Sequence, residues 1–330
     1  MTILKLRYSR LLLAAVLVII GVSSSLAAKP ELLILKGDLH CHSSFSHDSV
    51  IPVEQVIAES IIAGYDFIAL TEHNTLLHLQ KDHSTKDLLV ISGYELTVTP
   101  IAHFNIFGLR NFIKKSAIYT KKDMDEYLAY FKELGGIIQL NHPNADTFYS
   151  RFGYEYDINF LEILNDNFRK DDRQTLTDYQ NLLCEGRKLI ATGGTDVHKN
   201  HTVRKVFNNV LVTERTEKAI LAGLTAGRNY VTVNADGPII SLTCGNILMG
   251  GTVTYQEGQT IAISVKNITP GTIVKVYTSK GLEATETYSA TNESPYIREV
   301  SAKGIKFCRV ELWFDSENVC AYSNPIYIQQ

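Results

Sequence analysis

Leu32-Leu33-Ile34-Leu35-Lys36-Gly37-Asp38-Leu39-His40-Cys41-His42 is the stretch on which the reading of this chain turns. A short apolar run leads into two histidines spaced i, i+2. In an extended strand alternate residues share a face, so His40 and His42 point together and Cys41 points away. Two imidazoles placed this way can chelate one metal ion, although one such pair is as readily structural.

The same arrangement recurs down the chain. Apolar runs at Phe67–Leu70, Leu88–Ile91, Phe104–Phe107, Ile137–Leu140, Leu161–Leu164, Lys188–Ala191 and Asn209–Val212 read as buried parallel strands. Polar groups cluster at their ends: Thr71-Glu72-His73-Asn74, Gly93-Tyr94-Glu95, His103, Asn141-His142-Pro143 and Thr195-Asp196-Val197-His198. Asp196 and His198 are again an i, i+2 pair. A core histidine is the simpler account of any one of these residues, but not of all of them at equivalent strand ends. Imidazoles and carboxylates gathered at one barrel mouth suit Zn²⁺, Mn²⁺ or Fe²⁺.

Between the runs lie helical patterns. Pro52–Ala63 stops at Gly64, Asp123–Leu134 at Gly135-Gly136, Asp172–Cys184 before Gly186, and Thr216–Thr225 before Gly227. Strand–helix alternation of this length predicts an α/β barrel or doubly wound sheet over residues 28–236. After Asp236-Gly237-Pro238 the helical period gives way to short alternating runs, which predict a small β-sandwich over 237–330.

Residues 1–27 read as a secretory signal: Lys5, Arg7 and Arg10 precede an apolar run from Leu11 to Val22, then Ser25-Leu26-Ala27. That predicts an exported protein, periplasmic or extracellular, with no membrane span after cleavage. The 330 residues carry a net charge of −3, which argues against a stable nucleic-acid partner. Five cysteines cannot all pair within one chain, though Cys308 and Cys320 lie in neighbouring strand-like runs. Trp313 reads as sandwich core, and His78, His83 and His201 as solvated loop residues. Oligomeric state is not legible.

Taken together, the motifs resemble those of the PHP (polymerase and histidinol phosphatase) superfamily over about residues 36–232. The layout with an export signal and a β-domain is most similar to the CehA/McbA-like branch. The resemblance implies a distorted (β/α)7 barrel holding two or three divalent metal ions. His40, His42, Glu95 and Asp196 would surround one; His73, His103 and the bridging Glu95 a second; His142 would lie near a third, with His198 completing the set. Where many relatives have Ser-Asp-Gly, this chain has Ser46-His47-Asp48-Ser49. Asp48 is the preferred ligand there and His47 the alternative. Glu72 replaces the more usual aspartate and is expected to face away from His73.

Such a site implies a hydrolase, foremost a phosphoesterase acting on a small phosphate mono- or diester through a hydroxide shared by two metals. His198 or His142 would protonate the leaving oxygen. His201 and Arg204 are candidate substrate contacts, and Lys199, Arg151 and Arg169 candidate phosphate contacts. The alternatives are an acyl hydrolase of the CehA/McbA type, acting on an ester, carbamate or amide, and a retired metal-stabilised binding scaffold.

Overall fold

The computed structural model describes residues 32–114, 118–145, 149–199, 206–290 and 294–330, which belong to one compact unit. Residues 1–27, read above as an export signal, and His201 and Arg204 lie outside the described residues.

Seven strands build the barrel: β1 (Leu33–Cys41), β2 (Phe67–Leu70), β3 (Leu89–Val98), β4 (Ala102–Phe107), β5 (Ile137–Leu140), β6 (Phe160–Asn165) and β7 (Ile190–Gly194). They are hydrogen-bonded in sequence order. The end of β7 returns to β1: Cys41 forms a parallel bridge with Val197, the Asp196 N–H donates to His40 O at 2.7 Å, and the His42 N–H donates to Val197 O at 3.1 Å. Helices α1 (Val53–Ala63), α2 (Lys121–Glu133) and α3 (Lys170–Cys184) connect some of the strands.

β4 corrects the expectation of an all-parallel set, because it runs antiparallel to both β3 and β5. The cause is chain length. Only Thr99-Pro100-Ile101 separates β3 from β4, and a parallel crossover needs a dozen residues or more. As a result β4 presents its first residues, His103 among them, at the face where β3 ends.

Helix ends follow local chemistry. The Thr120 hydroxyl accepts from the Asp123 N–H in a capping box that starts α2, and Gly64 ends α1 in the left-handed region at φ 89°. The apolar face of α2, with Met124, Leu128 and Phe131, packs into the same core as Phe104, Ile106 and Ile138.

Two antiparallel strands, β8 (Phe207–Val212) and β9 (Asn229–Thr232), joined by α4 (Glu217–Thr225), extend the sheet beyond β1. The chain then continues through β10 (Ile239–Cys244), β11 (Ile247–Leu248), β12 (Thr252–Thr254), β13 (Thr260–Lys266), β14 (Ile273–Thr278), β15 (Gly281–Thr287), β16 (Tyr296–Ser301), β17 (Phe307–Trp313), β18 (Val319–Ser323) and β19 (Ile326–Gln329). One sheet, β11-β10-β13-β16, faces a second built on β14, β17, β18 and β19. Ile240, Ile261, Ile263, Val274, Val310 and Leu312 fill the space between them. β18 also pairs with β9, so this second sheet runs on into the barrel sheet.

Cys308 and Cys320 are free thiols, as are the other three cysteines. Strand register explains why these two do not pair. Cys308 lies opposite Ile326 at the start of β17, whereas Cys320 faces the Leu312/Trp313 end, about 13 Å further along the strand. His78 is likewise not the solvated loop residue expected: it is buried, and its Nε2–H donates to Gly93 O at 2.8 Å. Trp313 is buried, but its ring packs edge-on against Phe168, on the barrel side of β17 rather than between the two sheets. No helix among the described residues is long and apolar enough to cross a membrane.

Candidate metal centre

Glu95 is the hub of the site. Its carboxylate is fully buried and lies within ion-pair range of five histidines. Oε1 is 3.5 Å from His40 Nε2, 3.1 Å from His103 Nδ1 and 3.9 Å from His142 Nε2. Oε2 is 3.4 Å from His42 Nε2 and 2.6 Å from His73 Nδ1. Asn141 holds Glu95 in place by donating from Nδ2 to Oε1 at 3.1 Å.

Asp196 closes the first group of ligand atoms. Its Oδ1 lies 3.4 Å from His40 Nε2 and 3.2 Å from His42 Nε2. A second group joins Glu95, His103 and His142, and a third joins His42, His73 and His198. Asp48 reaches this third group, with Oδ2 3.3 Å from His73 Nε2 and 3.2 Å from His198 Nε2. His47 turns its ring toward His73, centroid to centroid 5.3 Å. Candidate groups thus join His103 with His142, and His73 with His198 and Asp48, while Glu95 spans His73 and His103 through its two oxygens.

Partners behind the rings settle three tautomers. His40 Nδ1–H donates to Glu162 Oε1 at 2.9 Å. The Ser46 hydroxyl donates to Glu72 Oε2, so it accepts from His42 Nδ1–H at 3.0 Å. His198 Nδ1–H donates to the Asp196 carbonyl at 2.9 Å. When each ring is neutral its Nε2 lone pair faces the cluster, the arrangement of a metal-ligating histidine. The Nε2 atoms of His40 and His42 are buried and have no hydrogen-bond partner among the described residues. Such atoms are costly to leave unmet, and a mixed imidazole–carboxylate set fits borderline divalent ions, so the residues present fit the metals the motifs imply.

The electrostatics agree. Burial pushes the Glu95 and Asp196 carboxyls upward, but the surrounding histidines, His40 foremost, outweigh it and hold both well below the usual carboxylate range. Burial drives His42 down to about 4, leaving it a neutral donor. Burial also works against the His40 cation, yet Asp196, Glu162 and Glu95 raise it well above its ordinary value. An incoming ion would therefore displace a proton from His40.

The barrel ends impose this geometry. Asp38 in β1 is buried and accepts from the Thr195 N–H at 3.1 Å, from the Thr195 hydroxyl, and from the His40 N–H at 3.0 Å, which ties the β7 end to the first histidine pair. Gly194 lets the two strands meet: a Cβ there would stand 2.2 Å from His40 Cβ and 2.6 Å from Glu162 Oε1. His142 and Asp196 sit at φ 26° and 48°, in the left-handed region that costs a residue with a Cβ conformational energy. Glu72 turns to the loop after His42, accepting from the Ser43 N–H at 3.0 Å and the Ser46 hydroxyl at 2.6 Å.

Glu162 is the member that sequence reasoning missed. It orients His40 through Oε1, and its Oε2 accepts from the His142 N–H at 2.9 Å and from Asn165 Nδ2 at 3.2 Å. The signal was present: one carboxylate inside the apolar run Leu161-Glu162-Ile163-Leu164 must be paired if that run is buried. Among the candidate phosphate contacts, Lys199 and Arg151 are exposed, and Arg169 Nε lies 3.6 Å from Asp171 Oδ1 at the start of α3. Tyr154 and Tyr156 pack the loop after His142, the first by donating to Asp178 Oδ2 at 2.6 Å.

Comparison with known proteins yields one family match: residues 38–190 match the PHP domain. No curated protein matches the chain. Among solved structures it is similar to a two-domain protein from Bacteroides vulgatus ATCC 8482 containing a predicted PHP-like metal-dependent phosphoesterase. That likeness has 18% identity and a TM-score of 0.49, over 89% of this chain and 95% of the other. It is also similar to PsfC from Pseudomonas syringae PB-5123, with 14% identity and a TM-score of 0.43 over 54% and 82%. Endonuclease Q, solved with a 27-mer duplex carrying an abasic lesion, is 16% identical with a TM-score of 0.44 over 57% and 55%. The chain thus carries a PHP domain over residues 38–190, with a buried cluster of histidines and carboxylates able to hold metal.

Proposed function

We propose that the chain hydrolyses a phosphate mono- or diester of a small molecule, using two or three divalent ions held by His40, His42, Asp48, His73, Glu95, His103, His142, Asp196 and His198. The observation that carries this reading is the pair of buried Nε2 atoms of His40 and His42, each 3.2–3.5 Å from carboxylate oxygens of Asp196 and Glu95 and in hydrogen-bond geometry with no group among the described residues. Bound zinc, manganese or iron would supply Lewis acidity toward a phosphoryl oxygen and acidify a water near neutral pH.

The chain's own residues do the rest. Glu95 and Asp196 stay ionised, and Glu162, Ser46 and the Asp196 carbonyl hold the imidazole lone pairs inward. His198, anchored by its Nδ1–H on that carbonyl, or His142 would donate the proton to a leaving oxygen from the nitrogen not held by an ion. Residues 1–27 support export to the periplasm or exterior, and we place the boundary between barrel and sandwich at 236/237.

Parallel assays on p-nitrophenyl phosphate, bis-p-nitrophenyl phosphate and p-nitrophenyl acetate test the reaction. Turnover of a phosphate ester that is lost in His40→Ala and on chelation is the expected result. Turnover of the acetate alone would overturn the phosphoesterase reading in favour of acyl hydrolysis.

A further inference from the structure

A cleft of about 240 Å³ opens between α3 and strands β14 and β17, and none of the histidine-cluster residues lines it. Its volume is that of about eight waters, enough for a small ligand but below the usual range for drug-sized ones. Arg173 and Gln180 of α3, Lys275 and Tyr277 of β14, and Arg309 and Trp313 of β17 form its walls.

The nitrogen inventory is unbalanced. Arg309 is fully buried between the rings of Tyr179 and Tyr277, at 5.4 and 4.7 Å from their centroids. Its Nε donates to Gln180 Oε1 at 2.8 Å and its Nη2 to Glu311 Oε1 at 2.7 Å, but its Nη1 has no partner among the described residues. Arg173 Nη2 donates to Glu317 O at 3.0 Å, while its buried Nε has none. Lys275 Nζ stands 4.0 Å from the Trp313 ring centroid, without an ion pair among the described residues. Glu311, the one carboxylate in the lining, is spent: Oε1 on Arg309 and Oε2 on the Trp313 Nε1–H at 2.8 Å.

Three cations therefore line the cleft with one committed carboxylate, the exposed Asp315 acting on Arg173 from outside the lining, and two buried guanidinium nitrogens lack acceptors among the described residues, a combination native interiors seldom tolerate. The Lys275 ammonium covers the Trp313 ring and Phe168 packs edge-on against it at 5.6 Å, so the indole is no stacking platform for a sugar or a base.

We propose that this cleft binds a small dianion of the phosphate or dicarboxylate class, held by Arg309 Nη1, the Arg173 guanidinium and the Lys275 ammonium. Doubly charged oxyanions match this donor set, because guanidinium edges and an ammonium supply only donors. The site stands apart from the proposed hydrolysis and does not depend on it.

Trp313 is the sole tryptophan in the chain and so reports on this cleft alone. Titration of the full chain with inorganic phosphate, and separately with malonate, is read by tryptophan emission. The expected result is a saturable change with one probe or both, whose midpoint weakens at least tenfold in R173Q/K275Q; the responding probe names the class. Arg173 and Lys275 are both partly exposed, so the variant should fold, which circular dichroism checks, and K275Q alone replaces it if it does not. Phosphate at the histidine cluster would not depend on these two residues. No saturable change with either probe, or an unaltered midpoint in the variant, overturns the proposal.

Discussion

Glu162 Oε1 accepts the Nδ1–H of His40 at 2.9 Å with both side chains wholly out of solvent. That bond determines which imidazole nitrogen faces Asp196 and Glu95. Replacing Glu162 with glutamine keeps the shape but removes the charge that fixes the tautomer. Metal affinity should fall roughly 10–100-fold, as for other partners of ligating histidines. Competition against a coloured chelator measures it, and an unchanged affinity in a folded Glu162→Gln protein would rule out the orienting role.

Gly194 makes a second contact that can be tested. Alanine there would press its methyl into His40 Cβ and Glu162 Oε1, neither of which can swing away inside the barrel. Overpacking of this kind costs about 1–3 kcal/mol. Gly194→Ala should lower the urea midpoint and weaken metal binding together, whereas Gly135→Ala, at a position with open space, should leave metal binding intact.

Ions that bind the folded chain alone must stabilise it. At a free concentration a hundred times the dissociation constant, one site contributes about 2.7 kcal/mol. Manganese or zinc should therefore raise the thermal midpoint of chelator-treated protein, and the double variant His40→Ala/His42→Ala should lose most of that rise. An equal rise in the variant would place the ion elsewhere.

Asp172 predicts a pH dependence away from the metal ligands. Burial lifts its carboxyl from 3.8 to about 7, against the backbone N–H groups of Asn165 and Arg169 that favour the charged form. Between about pH 4 and pH 7 the folded chain holds a proton there that the unfolded chain has released. Stability from this group is therefore greatest in acid and falls as pH rises to about 7, by up to roughly 4 kcal/mol. Wild-type stability minus that of Asp172→Asn, followed by urea unfolding, should fall as pH rises across that window. A flat difference would contradict the assignment.

Much of the site was legible because strand alternation and end positions are local properties. His40 and His42 declare themselves by spacing, and the four helices end within a few residues of their glycine stops. The direction of β4 was legible too, had the three-residue link been counted. The grouping of His103 with His142 was not, since it depends on β4 entering the mouth from its first residue. Nor was the separation of Cys308 from Cys320, which follows from register across β17 and β18 rather than from nearness in sequence.

By itself the sequence determined the α/β alternation, the change to short alternating strands near residue 236, and which histidines and carboxylates stand at strand ends. Periodicity and residue type encode these within a dozen positions. Only the tertiary structure decided which nitrogen His40, His42 and His198 turn to the cluster, and that Glu162 belongs to the site. Those outcomes rest on contacts between strands up to 157 residues apart, such as Asp38 with Thr195, and no local pattern constrains them.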